Sequence, residues 1–190
     1  MTLKRSNGSH YCGGSVINTN KVMSAAHCKQ STNDFTAGAG SIRLTKQTQV
    51  RNGRSQAAHP QFNSFTLDYD YMVITISGIF AFDGLVMPIP IVNPTQVELI
   101  PLTPLEASGY GYFQLDANDN PVNVAQTLQY MAIDSMTRSS CKMYWPTVSR
   151  RNQCAYTLGV TTCQGDSGGP LTVLQRETLH DLVRLWPPHS

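Results

Sequence analysis

Charge is scarce in this chain: Asp, Glu, Lys and Arg make up 14% of its 190 residues, against 41% for apolar side chains. Disorder needs the opposite balance, so a packed core is expected. The two signs nearly cancel at a net +2, and like charges form no run. That leaves no electrostatic footprint for nucleic acid, and no such partner is expected. Long apolar runs are missing as well. The longest, residues 72–82, is broken by Thr75, Ser77 and Gly78 and is far too short to cross a bilayer as a helix, so no membrane partner is expected. The first ten residues contain no apolar segment of the kind found in signal peptides. Cys-x-x-C pairs are absent, which removes the usual zinc-ribbon and thiol-redox motifs. His59 reads as a loop residue, His10, His180 and His189 have no partners at metal-ligand spacing, and no acidic residue occurs between positions 41 and 66, so neither a transition-metal nor a calcium site is expected.

What the chain does have is 34 Ser and Thr, 14 Gly and 11 Pro, a composition of strands and turns. An all-β fold follows. Strands are predicted at residues 14–18, 21–25, 41–48, 72–76, 127–133 and 170–174, with a helix over 134–144. Asn7-Gly8 and Asn52-Gly53 read as type I′ hairpin turns, in which both central residues need positive φ. Residues 93–104 carry three prolines and divide the chain into halves of similar size, a linker between units 1–95 and 105–190. Asn7-Gly8-Ser9 also satisfies the N-glycosylation pattern, although a hairpin turn accounts for Asn-Gly equally well.

Five cysteines occupy positions 12, 28, 141, 154 and 163. Cys12 with Cys28 and Cys141 with Cys154 would close short loops, each bridge contributing about 3 kcal/mol, and such bridges point to an oxidising, extracellular compartment. Cys163 is left over, which leaves open a free thiol, an intermolecular bridge or a partner outside this sequence.

Chemistry concentrates in three stretches. In Cys163-Gln164-Gly165-Asp166-Ser167-Gly168-Gly169-Pro170 a hydroxyl nucleophile sits among glycines, which let backbone and substrate approach closely. The Gly165 and Ser167 amides would face a developing oxyanion there, at roughly 3–4 kcal/mol per donor. Ser24-Ala25-Ala26-His27-Cys28 holds a histidine, the natural general base near neutral pH, beside a cysteine of the first pair. Asp68-Tyr69-Asp70-Tyr71-Met72-Val73-Ile74 brings carboxylates to the start of an apolar strand, where one could fix a histidine's tautomer. Taken singly, each has a blander explanation: a serine in a turn, a packed histidine, a solvated aspartate. Together and in this order they do not.

With Cys12-Gly13-Gly14-Ser15-Val16-Ile17, His59-Pro60-Gln61-Phe62-Asn63 and Ala107-Ser108-Gly109-Tyr110-Gly111, these stretches resemble the hallmarks of trypsin/chymotrypsin-like serine proteases from about Leu3 to Leu171. The resemblance implies two antiparallel β-barrels with a cleft between them, and serine endopeptidase activity through an acyl-enzyme that needs no cofactor. It implies Ser167 as nucleophile, His27 as general base and Asp70 as orienting carboxylate, with Asp68 the rival for that role. Gly165 and Ser167 would supply the oxyanion hole. Thr161, two positions before Cys163, would floor the primary pocket, and a neutral floor favours apolar over basic substrate side chains. Protein substrates, protein inhibitors, a monomeric state and secretion are implied too.

Departures from the family pattern raise a second reading. The family's activating Ile-Val-Gly-Gly terminus, whose ammonium would pair with Asp166, has no counterpart before Cys12. After Leu171 there is no Ser-Trp-Gly segment, no cysteine to join Cys163 and no family-type final helix; residues 179–186 read instead as a short amphipathic stretch. The barrels are therefore expected to be incomplete at both termini, through an incomplete coding sequence. The alternative function is an inactive homologue that retains the fold as a protein-binding module.

Overall fold

The computed structural model describes residues 1–91, 99–118, 120–159 and 161–173. Its strands, in chain order, are β1 Thr2–Arg5, β2 His10–Gly13, β3 Ser15–Asn18, β4 Lys21–Ser24, β5 Phe35–Ala39, β6 Gln49–Ala58, β7 Met72–Ile76, β8 Pro104–Gly109, β9 Tyr112–Leu115, β10 Pro121–Val124, β11 Gln129–Met136, β12 Cys154–Tyr156 and β13 Leu171–Val173. One α-helix, α1, spans Arg138–Tyr144, and Ala26–Cys28 forms a 3₁₀ turn. The fold is all-β.

The first seven strands make one antiparallel sheet in the order β2-β1-β5-β6-β7-β4-β3. Its outer strands, β2 and β3, are separated in sequence only by Gly14, so the two ends of the sheet lie together and the sheet is a nearly closed barrel. Period-two burial shows why these residues form strands: Met72, Ile74 and Ile76 point inward from β7, and Val22 and Ser24 from β4. With Leu3, Phe35 and Phe80 they fill the first core. Each fully buried apolar side chain of this size contributes about 1.5–3 kcal/mol. A four-stranded antiparallel sheet, β12-β11-β8-β13, carries a smaller core of Leu105, Ile133, Leu171 and Val173. The pair β9–β10 forms a separate two-stranded sheet. This is the two-barrel architecture of the chymotrypsin-like type.

Several local expectations are corrected. Residues 41–48 form no strand; the chain turns there, and the strand is the ten-residue β6. Asn52-Gly53 lies inside β6 rather than at a turn. A glycine is required there because a Cβ would sit 2.3 Å from Cζ of the buried Phe35 ring. Asn7-Gly8 does lie in the β1–β2 hairpin, but Gly8 N donates to Arg5 O (2.8 Å), so Ser6 and Asn7 are the central residues and only Gly8 has positive φ, +80°. That is a three-residue loop with a left-handed glycine, not type I′. Residues 134–136 belong to β11, and α1 starts after Thr137, whose hydroxyl accepts from Ser140 N (3.0 Å). The disulfides are Cys12–Cys28 and Cys141–Cys154, and Cys163 is a free thiol. Residues 93–98 of the 93–104 segment, Leu174, and the tail with His180 and His189 lie outside the described residues.

Candidate active site

His27 sits in the 3₁₀ turn that follows β4. Its neighbours Ala25, Ala26 and Cys28 are buried, and the Cys28–Cys12 bridge pins the turn to β2, so the imidazole is the side chain that projects. The Asp70 carboxylate grips this residue twice. Oδ1 accepts the His27 backbone N–H at 2.9 Å and Oδ2 lies 2.6 Å from Nδ1. An ionised carboxylate can only accept, so the ring proton belongs on Nδ1 and the lone pair on Nε2. The imidazole is 25% exposed and the Asp70 side chain 10%, so the base can be reached while the carboxylate is shielded.

Asp68 is elsewhere engaged. It accepts from Arg151 through both oxygens, from Nε at 2.8 Å and from Nη2, and from Ser149 Oγ at 3.0 Å. The Arg151 guanidinium holds its carboxyl below the usual range.

Ser167 lies on a loop of two successive turns, closed by Asp166 N to Cys163 O (3.1 Å) and Gly169 N to Asp166 O (2.9 Å). The loop is stitched to the first sheet: Gly13 N donates to Ser167 O at 2.8 Å, and Ser24 Oγ donates to Gly13 O at 2.9 Å. Gly168 makes the approach feasible, since a Cβ there would meet Ser24 Oγ at 2.3 Å. The Cys12–Cys28 region is thus the common anchor for the His27 turn and the Ser167 loop. No hydrogen bond joins Ser167 Oγ directly to His27 among the described residues; in unliganded sites such bonds are commonly long and tighten when substrate binds. Neither Gly165 N nor Ser167 N donates to any acceptor among the described residues, which leaves both amides for an outside oxygen.

Two half-buried groups hold this loop. Asp166 accepts from Gly111 N (2.7 Å) and Cys163 N (3.0 Å). Burial nonetheless raises its carboxyl above the ordinary value. The ion pairs between described residues are His27–Asp70 and Asp68–Arg151, and the described partners of Asp166 are these two backbone amides. Gly109 and Gly111 are needed beside it, because a Cβ on either would fall within 2.4 Å of a carboxylate oxygen. The second group, His10, had no role in the sequence. Its Nε2 donates to Gly165 O at 2.9 Å and its Nδ1 lies 2.7 Å from Thr2 Oγ1. Burial lowers its pKa to about 4, so the ring is neutral at physiological pH. The partners are 155 residues apart, and no local signal could have joined them.

A cleft of about 380 Å³ opens beside Ser167, lined among others by Tyr130, Met131, Ala155, Tyr156, Gly159 and Thr161. Among its described lining residues the one carboxylate, Asp166, is committed to amides. Cys12, His27 and Cys28 cluster closely enough to suggest metal ligands, but the two sulfurs are bonded to each other, so the set lacks thiolates. His59 stacks on Tyr69 with centroids 4.4 Å apart. Asn7 is exposed at its hairpin tip, where Oδ1 accepts from Ser9 N and Oγ.

A family profile described as Trypsin matches residues 1–182. Trypsin-2 of Salmo salar is 33% identical over 168 residues, which cover 86% of this chain and 69% of the relative. The trypsins of Sus scrofa and Xenopus laevis are each 33% identical over the same share of this chain and 70% and 66% of their own length. The chain therefore spans about two thirds of these relatives.

Proposed function

The chain belongs to the trypsin family of serine proteases, and from that premise we propose that it is an endopeptidase in which Ser167, His27 and Asp70 form the catalytic triad. The observation that carries this reading is the double grip of Asp70 on His27, through Nδ1 and the backbone amide, which leaves Nε2 as the base. Ser167 Oγ attacks the scissile carbonyl carbon and its proton passes to Nε2. The resulting oxyanion is received by the Gly165 and Ser167 amides. Collapse breaks the C–N bond, His27 returns the proton to the leaving amine, and water repeats the sequence on the acyl-enzyme. Asp70 stays ionised and stabilises the imidazolium. No cofactor enters these steps.

In this reading residues 1–95 and 105–190 are two lobes of one peptidase domain, and Thr161 sets the floor of the specificity pocket. A cleft bearing Tyr130, Met131 and Tyr156, with no uncommitted carboxylate among its described lining residues, favours an apolar side chain before the cleaved bond. The partners are protein substrates and protein protease inhibitors, met by a monomer. Two disulfides fit secretion, and among the described residues no helix is long and apolar enough to cross a membrane.

Labelling with a fluorophosphonate probe is the direct test. The protein is expected to label in a manner lost in Ser167→Ala. A folded protein that stays unlabelled would instead support the second reading, an inactive homologue that binds proteins.

A further inference from the structure

The segment carrying Asp70 is held in an unusual shape from outside its own sheet. Leu67 and Tyr69 both have positive φ, +53° and +55°, a region in which non-glycine residues are strained and persist only where their surroundings over-determine them. Between them Asp68 points across to the segment that joins α1 to β12, 81 to 83 residues further along the chain. There Ser149 and Arg151 lie inside the loop closed by Cys141–Cys154, so their backbone is anchored at both ends. The Arg151 guanidinium meets the Asp68 carboxylate fork to fork, a geometry that fixes direction as well as distance. It also lies 4.4 Å over the Tyr69 ring, and His59 stacks on that ring at 4.4 Å and 7°. Every side chain in this cluster touches the residue before Asp70 or the one before that.

The geometry points to Arg151 as a positioning residue for the carboxylate of the triad: by clamping Asp68 and covering Tyr69 it holds residues 67–69 in the shape that aims Asp70 at His27. This rests on the triad reading above and adds a residue to it. The side-chain contacts of Arg151 are with Asp68 and Tyr69 and not with Ser167 or His27; it acts through Asp70. Without the clamp the two left-handed residues relax, and the 2.6 Å contact between Asp70 and Nδ1 lengthens. Arg151 also makes the second lobe responsible for the geometry of the base in the first, so the triad is set only when the lobes are together.

The test uses the whole chain, with Arg151→Met and Arg151→Lys beside the parent. Two readouts are taken on protein whose circular dichroism and thermal transition show it folded: the rate constant of fluorophosphonate labelling, and the strongly deshielded NMR resonance of the proton between His27 Nδ1 and Asp70. Arg151→Met is expected to label roughly ten- to hundredfold more slowly and to lose or broaden that resonance, because small misplacements of catalytic groups carry penalties of this size. Arg151→Lys keeps the charge but only a single-point contact, and should recover part of both. Where a substrate is in hand, kcat should fall with KM unchanged. A folded Arg151→Met with the parent's labelling rate and resonance overturns the proposal. Should Arg151→Met fail to fold, Asp68→Asn is read by the same two criteria. A parent that shows the resonance without labelling contradicts the active triad and leaves the clamp to be decided by the resonance alone; a folded parent without the resonance overturns both.

Discussion

Two glycines with nearly the same backbone angle serve different ends. Gly8 has φ +80° with nothing within 4 Å of the place a Cβ would occupy, whereas at Gly168, φ +77°, that Cβ would fall 2.3 Å from Ser24 Oγ and 2.9 Å from Ala25 N. Gly8→Ala should therefore cost about 1 kcal/mol, the left-handed penalty alone, and leave fluorophosphonate labelling unchanged. Gly168→Ala carries that penalty and must also push the Ser167 loop off its seat on Gly13, so labelling should slow by at least tenfold, as expected when a nucleophile is displaced by about an ångström. Urea unfolding and labelling rates on the two variants separate the effects, and equal labelling would show that the seat does not position Ser167. At this scale the sequence was most informative where residue order and chemistry coincide, in the two neighbouring carboxylates Asp68 and Asp70; in the fold Asp70 meets His27 and Asp68 meets Arg151. His10 and Arg151 were invisible because their partners are distant in the chain, and only the fold brings a lone histidine to the Gly165 carbonyl.

Element boundaries were harder to read, for reasons visible in β5 and β6. Asn52-Gly53 has the composition of a turn, yet Gly53 is there to admit the Phe35 ring from the neighbouring strand, with a register irregularity between Gly53 and Ser55. A cross-strand packing need and a turn need produce the same residue, and only the three-dimensional neighbour distinguishes them. The strand at Met72–Ile76 was legible because its alternating apolar residues face a single core. The short strands His10–Gly13 and Phe35–Ala39 were not, since glycines, a histidine and small residues dilute their alternation. Gly53→Ala tests the packing account. Phe35 is 2% exposed and has nowhere to retreat, so the added methyl should cost about 1–3 kcal/mol in urea unfolding. A neutral result would mean that the ring can shift and that the glycine answers another need. In α1 the Thr137 cap is the corresponding end signal, and Thr137→Ala should remove about 1 kcal/mol.

Over the whole molecule, polar contacts join the two sheets and their loops: Gly13 with Ser167, His10 with Gly165, Tyr110 Oη with Ser41 O at 2.7 Å, and Asp68 with Arg151. Two half-buried titratable groups at this seam act on stability in opposite senses. His10 has its pKa lowered by burial to about 4, with the Met1 ammonium and then Lys4 adding repulsion, so as pH falls the unfolded chain takes up this proton first. Its contribution is fully present above the unfolded value near 6.5 and is lost as pH falls toward 4, about 3 kcal/mol in all. Asp166, raised by the same burial, favours the folded state on the acid side and gives that stability up as pH rises above the ordinary carboxylate range. The two partly cancel in the parent protein, so the total slope understates each. His10→Gln separates them: its amide N–H can still donate to Gly165 O and its oxygen can still accept from Thr2, but it cannot take a charge. Urea unfolding at a series of pH values between 7 and 4 should show the parent losing stability relative to His10→Gln by about 3 kcal/mol across that range. Parallel curves for the two proteins would mean that His10 is charged as readily in the fold as in water, and that the Gly165 carbonyl is held by something other than a neutral ring.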